Sequence, residues 1–199
     1  NVLTDFLRTG VYDRNRRFYN TMSPSMDILI SSNLERMLYE LSGSSDGEVR
    51  GYMDQLAEKG RYEVGDAVKG KLSRYFAAGF CDDAQTQRVI ARMWNEHKYL
   101  IDPHTAVAFD VLDQYRAETG DDTAAIVVST ASPFKFCDSV LGALGVTDLR
   151  EGTDILGQLS ELTGVSAPAP LAGLAGKEVR FTDNTTKDHM VDKVLEMLK

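Results

Sequence analysis

Hydroxyl side chains gather at one place in this sequence, Ser129-Thr130-Ala131-Ser132-Pro133-Phe134-Lys135-Phe136. A hydroxyl both donates and accepts, so Ser129 and Thr130 can meet a heterocyclic nitrogen or a phosphate oxygen. A plainer reading stands beside that one: Ser132 caps the helix that Pro133 opens, and Thr130 satisfies a strand-end carbonyl. Asp102-Pro-His-Thr105 is a second candidate. With Asp102 as N-cap and Pro103 as first helical residue, His104 and Thr105 fall at a helix start, where partial positive charge favours anions. They either line a cleft or help order the turn. Asn33 and Arg36 lie one turn apart on another helix and face roughly the same side. Arg36 can reach a phosphate or carboxylate, or it can rest in a solvated ion pair.

Other groupings carry less chemistry. Ser132-Pro-Phe-Lys135 fits a Ser-x-x-Lys pattern and Thr182-Asp-Asn184 loosely mimics its companion motif, but no Lys-Thr-Gly follows. Lys135 itself falls in a first helical turn, a position for a solvent-facing or phosphate-facing charge. His97 and His189 lack metal-ligand partners at useful spacing, and Cys81 and Cys137 match no CxxC or zinc pattern. No metal is therefore expected, and both thiols are expected to be buried and reduced. Asn184-Thr-Thr matches a glycosylation acceptor, yet no export signal precedes it, so helix capping is the better account. Arg14, Arg16 and Arg17 form a short cluster of the kind usually found on a solvated face.

These side chains need a scaffold, and the composition allows one. The 199 residues are 43% hydrophobic and 26% charged, enough for one good-sized packed domain, with or without a small appendage. Twenty-two Lys and Arg against 30 Asp and Glu leave a net charge of −8, which argues against a nucleic-acid partner. No apolar run approaches the ~20 residues that cross a bilayer, so no membrane partner is expected and the cytoplasm is the default compartment. The chain has no initiator Met and opens at once on helical sequence with Asn1 available as N-cap. A cut in a longer polypeptide is the expectation.

Helical periodicity dominates. Ser31 or Ser32 can cap a helix carrying Leu34, Met37, Leu38 and Leu41 on one face, with Gly43 as its stop. Further helices are expected over Asp46–Lys59, ended by Gly60, and over Gln85–Asn95 behind an Asp82 or Asp83 cap. Another should run from Thr105 to Gly120, and a shorter one from Val68 to Tyr75. Phe76–Cys81 can be a strand. Ala124-Ala-Ile-Val-Val-Ser129 carries the strongest strand signal, a continuous apolar run of the sort buried on both faces of a parallel sheet. A helix from Phe134 to Leu144 should follow it, giving an α/β unit. Thr163–Gly176, with Pro168 and Pro170, is expected to be a loop, and Lys187–Leu198 a last amphipathic helix.

Several separated blocks resemble threonine synthase, in the same order. They are Asn1-Val-Leu-Thr-Asp-Phe-Leu-Arg-Thr-Gly-Val-Tyr-Asp13, Ser23-Pro-Ser-Met-Asp-Ile28 with Ser31-Ser-Asn-Leu-Glu-Arg36, Asp102-Pro-His-Thr-Ala106, Ser129–Phe136, and Pro170-Leu-Ala-Gly-Leu-Ala-Gly-Lys-Glu-Val-Arg-Phe181. The resemblance spans almost the whole chain and implies a pyridoxal-phosphate enzyme of fold type II, helix-rich α/β with a parallel sheet. It implies residues 1–165 as the C-terminal part of the large cofactor-binding domain and 166–199 as a loop and helix packed on it. The implied parent is a lyase of threonine biosynthesis that turns O-phospho-L-homoserine and water into L-threonine and phosphate. Within that family a neutral hydroxyl faces the cofactor's pyridine nitrogen, a position that falls on Thr130, with Ser129 second. His104, Thr105, Asn33 and Arg36 become substrate-cleft candidates. The family's cofactor-linked lysine lies in an N-terminal Ser-Phe-Lys-Asp-like motif that this sequence does not contain, and its phosphate-binding glycine loop should precede Asn1. Ser132 stands where many relatives have His. The expected partner is thus the N-terminal part of the same enzyme, without which the chain should be inactive. Other readings are a different fold-type-II enzyme, or a regulatory or assembly module without catalysis.

Overall fold

The computed structural model describes residues 1–198. Asn1 starts the first element: its side-chain oxygen accepts from the N–H groups of Leu3 and Thr4, at 3.0 and 3.3 Å, and caps α1 (Val2–Thr9). Gly10 ends that helix at φ 75°, a left-handed conformation that suits a residue without Cβ. The chain turns straight into β1 (Val11–Asp13), which pairs antiparallel with β2 (Arg61–Glu63) so that Tyr12 sits opposite Tyr62. Between the strands lie α2 (Leu34–Leu41) and α3 (Asp46–Lys59); α4 (Asp66–Tyr75) follows β2.

These elements close a first core. The Tyr12 and Tyr62 rings stack 5.3 Å apart, and Phe6 meets both edge-on at 5.8 and 5.9 Å. Leu38, Val68 and Leu72 pack around this aromatic cluster, which is the offset and T-shaped geometry that ring quadrupoles favour. Tyr12 still satisfies its hydroxyl, donating to the Leu29 carbonyl at 3.0 Å and accepting from Ser31 N–H at 2.9 Å. That pair of bonds pins the loop between β1 and α2.

A second core lies among α5 (Asp83–His97), α6 (Pro103–Thr119), α7 (Cys137–Ala143) and α8 (Asp154–Thr163). Ile90, Ile101, Val140, Leu141 and Leu159 form its centre. Asp82 and Gln85 complete a reciprocal capping box at the start of α5. Gly60 and Gly120 end α3 and α6 in left-handed conformations, as their positions predict. The tail carries α9 (Ala169–Ala172) and α10 (Met190–Met197).

Several expectations need correction. Ala124–Ser129 forms no strand and is not buried: Ile126 is 93% and Val128 69% exposed. An apolar run becomes a buried strand only when neighbouring strands take its backbone groups and helices cover its faces. The described residues offer neither. The only sheet among them is the antiparallel β1–β2 ribbon, so the expected parallel sheet does not appear. Phe76–Cys81 is likewise an irregular connection. Asn33, not Ser31 or Ser32, precedes α2, and the helix beginning at Pro133 breaks into a 3-10 turn (Pro133–Lys135) and α7. Cys137 is buried but Cys81 only partly so. In the tail, Ala167 and Leu171 touch the second core, and Val191, Val194, Leu195 and Leu198 of the last helical segment are exposed.

Candidate active site

Asp102 anchors the site. It is fully buried, and its carboxylate accepts from the backbone N–H groups of His104 and Thr105 at 2.9 and 3.3 Å. The Thr105 hydroxyl lies 2.5 Å from the other carboxylate oxygen. A buried carboxylate is tolerated when donors surround it, and the start of α6 adds its own partial positive charge. The Thr105 oxygen also meets the Ser129 hydroxyl at 3.0 Å, which ties the end of the irregular apolar segment to the N-terminus of α6.

His104 projects from the same turn. Its Nδ1 is hydrogen-bonded to the buried Ser23 hydroxyl, and its Nε2 lies 3.0 Å from Oγ of exposed Ser25. Phe136 stands edge-on to the ring, 5.0 Å between centroids and at 85°. The Ser23-Pro-Ser25 turn is held from below. Asp27 accepts from the Thr21 N–H and hydroxyl at 2.6 and 2.8 Å, and Ser23 N–H donates to Thr21 Oγ1 at 3.2 Å. Three blocks far apart in sequence, Ser23–Asp27, Asp102–Thr105 and Ser129–Phe136, thus converge on one histidine.

The six site residues expected from the sequence do not all meet. His104, Thr105 and Ser129 are joined by this network. Thr130 lies next in the chain to Ser129, is exposed, and makes no side-chain hydrogen bond among the described residues. Asn33 and Arg36 are elsewhere: they bond each other at 2.6 Å, and Arg36 lines an open groove between α2 and α3 beside Glu35, Glu40 and Arg50. Ser23, Ser25 and Phe136 gained no role from sequence reasoning. Two serines flanking a proline were the available signal, since Pro and Ser together mark a turn.

A larger cleft of about 800 Å³ flanks the serine turn, bounded by residues 16–21, 26–29 and 80–84. Arg17 stacks on Tyr19 there, 5.1 Å from the ring centre, and Arg16 pairs with Asp5 at 2.6 Å. Cys81 lies on its wall, but burial pushes that thiol up to about 11, so it stays protonated near neutral pH and is a poor nucleophile. Among the described residues no group of three or more His, Cys, Asp or Glu could hold a metal, and no helix is long and apolar enough to cross a membrane.

Known proteins share this scaffold. Superposition on the crystal structure of pyridoxal-phosphate-bound threonine synthase from Brucella melitensis gives a TM-score of 0.75 at 30% identity, covering 99% of this chain and 38% of that one. The yeast threonine synthase structure gives 0.77 at 26% identity, covering 100% and 40%. The class is therefore a helix-rich α/β fold found in pyridoxal-phosphate-dependent synthases. In sequence, residues 105–195 match the family model for the threonine synthase C-terminal region. Threonine synthase of Eremothecium gossypii is 31% identical over 211 residues, 98% of this chain and 39% of its own length. Human threonine synthase-like 1 is 37% identical over 172 residues, 85% and 22%. The chain is similar to the C-terminal portion of threonine synthases and spans between 22% and 40% of the length of these relatives.

Proposed function

We propose that this chain supplies one side of the active site of a pyridoxal-phosphate-dependent lyase of the cytoplasm, converting O-phospho-L-homoserine and water to L-threonine and phosphate. The convergence of three separated blocks on His104 and Thr105, with Ser129 tied to Thr105 and Thr130 next to it in the chain, carries the reading. The site's chemistry fits the cofactor: neutral hydroxyls of Ser129 and Thr130 are exposed where a heterocycle could approach, and no acidic side chain shares that turn. Pyridoxal phosphate, when bound, supplies the electron sink for proton loss from the substrate. Thr130 is then the neutral partner of the pyridine nitrogen, with Ser129 second. His104 and Thr105 line the substrate side. Arg36, oriented by Asn33, takes an anionic substrate group, since its guanidinium has donors left over after that single bond.

The remaining parts of the reading concern what completes the molecule. The Ala124–Ser129 segment becomes a strand of a parallel sheet when the N-terminal part of the longer enzyme lies beside it. Residues 1–165 act as part of the large cofactor-binding domain and 166–199 as its C-terminal appendage. The cofactor's lysine belongs to that other part, so the 199 residues alone bind pyridoxal phosphate weakly and do not turn over. Two measurements test this. Mixing the isolated chain with pyridoxal phosphate should give no lysine-linked absorbance band; a band with threonine formation defeats the reading. In the intact enzyme, Thr130→Ala should lower turnover of O-phosphohomoserine at least about tenfold, the scale of one lost hydrogen bond of about 1.4 kcal/mol. An unchanged rate removes Thr130 from the site.

A further inference from the structure

His104 is gripped at both ring nitrogens, and the two grips are not equivalent. Ser23 is 6% exposed, and His104 Nδ1 is the only hydrogen-bond partner of its hydroxyl among the described residues. Ser25, on the Nε2 side at 3.0 Å, is exposed, so water can serve its hydroxyl. A neutral imidazole donates from one nitrogen and accepts at the other, and the neighbours decide which. Were Nδ1 the protonated nitrogen, the Ser23 hydroxyl would accept and its own proton would be left buried without a partner, a cost of about 1–3 kcal/mol. With Nδ1 as acceptor, Ser23 donates, Nε2–H donates to Ser25, and every buried group is satisfied.

We propose that Ser23 is a positioning residue: its hydroxyl fixes His104 in the Nε2–H tautomer, so that the proton is offered on the Ser25 side. Other contacts hold the ring in place without choosing the tautomer. The Phe136 ring walls one edge, while Asp102 takes the backbone N–H of His104 at 2.9 Å and not the ring. Thr21 and Asp27 hold the serine turn at the height the imidazole requires. Because every group named belongs to this chain, the arrangement exists before any cofactor or substrate arrives. Ser25 then marks the direction in which His104 can give a proton to, or hydrogen-bond, an oxygen in the cleft.

The inference rests on the proposal that His104 lines the substrate side, but its test needs neither cofactor nor turnover. Long-range proton–nitrogen NMR on the chain with labelled histidines reads the tautomer of each ring. At pH 8, wild-type His104 should show a protonated Nε2 and a bare Nδ1, whereas exposed His97 should show the averaged pattern of an unrestrained ring. Ser23→Ala should move the His104 pattern at least halfway toward that of His97, Ser23→Thr should restore it, and Ser25→Ala should leave it in place because water replaces the acceptor. An Nδ1–H form or an averaged ring in the wild type overturns the proposal, as does a Ser23→Ala spectrum identical to wild type. If Ser23→Ala fails to fold, the wild-type spectrum decides. A fixed tautomer together with an intact enzyme inactive on O-phosphohomoserine would sink the functional reading and leave the role of Ser23 standing.

Discussion

Residues 2–72 and residues 124–128 are both rich in apolar side chains, yet only the first segment buries them. Phe6 and Leu38 are fully buried in a core whose members come from α1 to α4, all within the first part of the chain. Ile126 stands 93% exposed. The difference is not hydrophobicity but the location of partners. The first core finds its complement within some seventy residues, whereas the second segment offers the chain nothing to pair with.

That contrast can be broken or sharpened by substitution. Phe6→Ala removes a buried ring that meets Tyr12 and Tyr62 edge-on, and should cost about 3–5 kcal/mol, read as a large fall in the urea midpoint. A cost below about 1 kcal/mol would mean that the first core is loosely packed. A smaller effect is expected from pH. Burial, reinforced by the neighbouring tyrosines, holds the Tyr62 phenol far above its ordinary range, and burial also raises Tyr12 and Tyr52. With a native pKa above the unfolded one, the native state stays neutral while the unfolded chain ionises above pH ~10. The stabilisation from Tyr62 is therefore whole below pH ~10 and declines as pH rises further, by about 1.4 kcal/mol per unit. Tyr62→Phe should flatten that decline in urea melts between pH 8 and 11; an unchanged slope assigns it to other groups. The smallest effect belongs to the other segment. Ile126→Ser should alter the stability of this chain by less than about 0.5 kcal/mol, because no contact is lost. The same change in the intact enzyme should destabilise clearly if a sheet forms there.

Sequence legibility follows the same division. Caps and stops were legible because they act within a few residues: Asn1, Asp82 and Asp102 cap α1, α5 and α6, while Gly60 and Gly120 end α3 and α6. The β1–β2 ribbon was not, since three-residue strands separated by two helices leave no periodic signature. Helix α8 also went unassigned; Thr153 precedes it without a side-chain capping bond, so its start carried no mark. At the site, Thr105 and Ser129 were each legible as candidates, but their contact was not. The role of Ser23 depended on a histidine 81 residues away, a relation that no local pattern encodes.

The pairing of Tyr12 with Tyr62 also sets an order of events. Closing a loop of about fifty residues exacts a chain-entropy cost before its contacts reward it, and such non-local closure slows folding. On a ribosome, α1 and β1 would emerge before β2 and α4 and wait, their aromatic faces unsheltered, until those elements were synthesised. Assembly of this half is thus timed by its last contributor, Leu72, and not by its first helix.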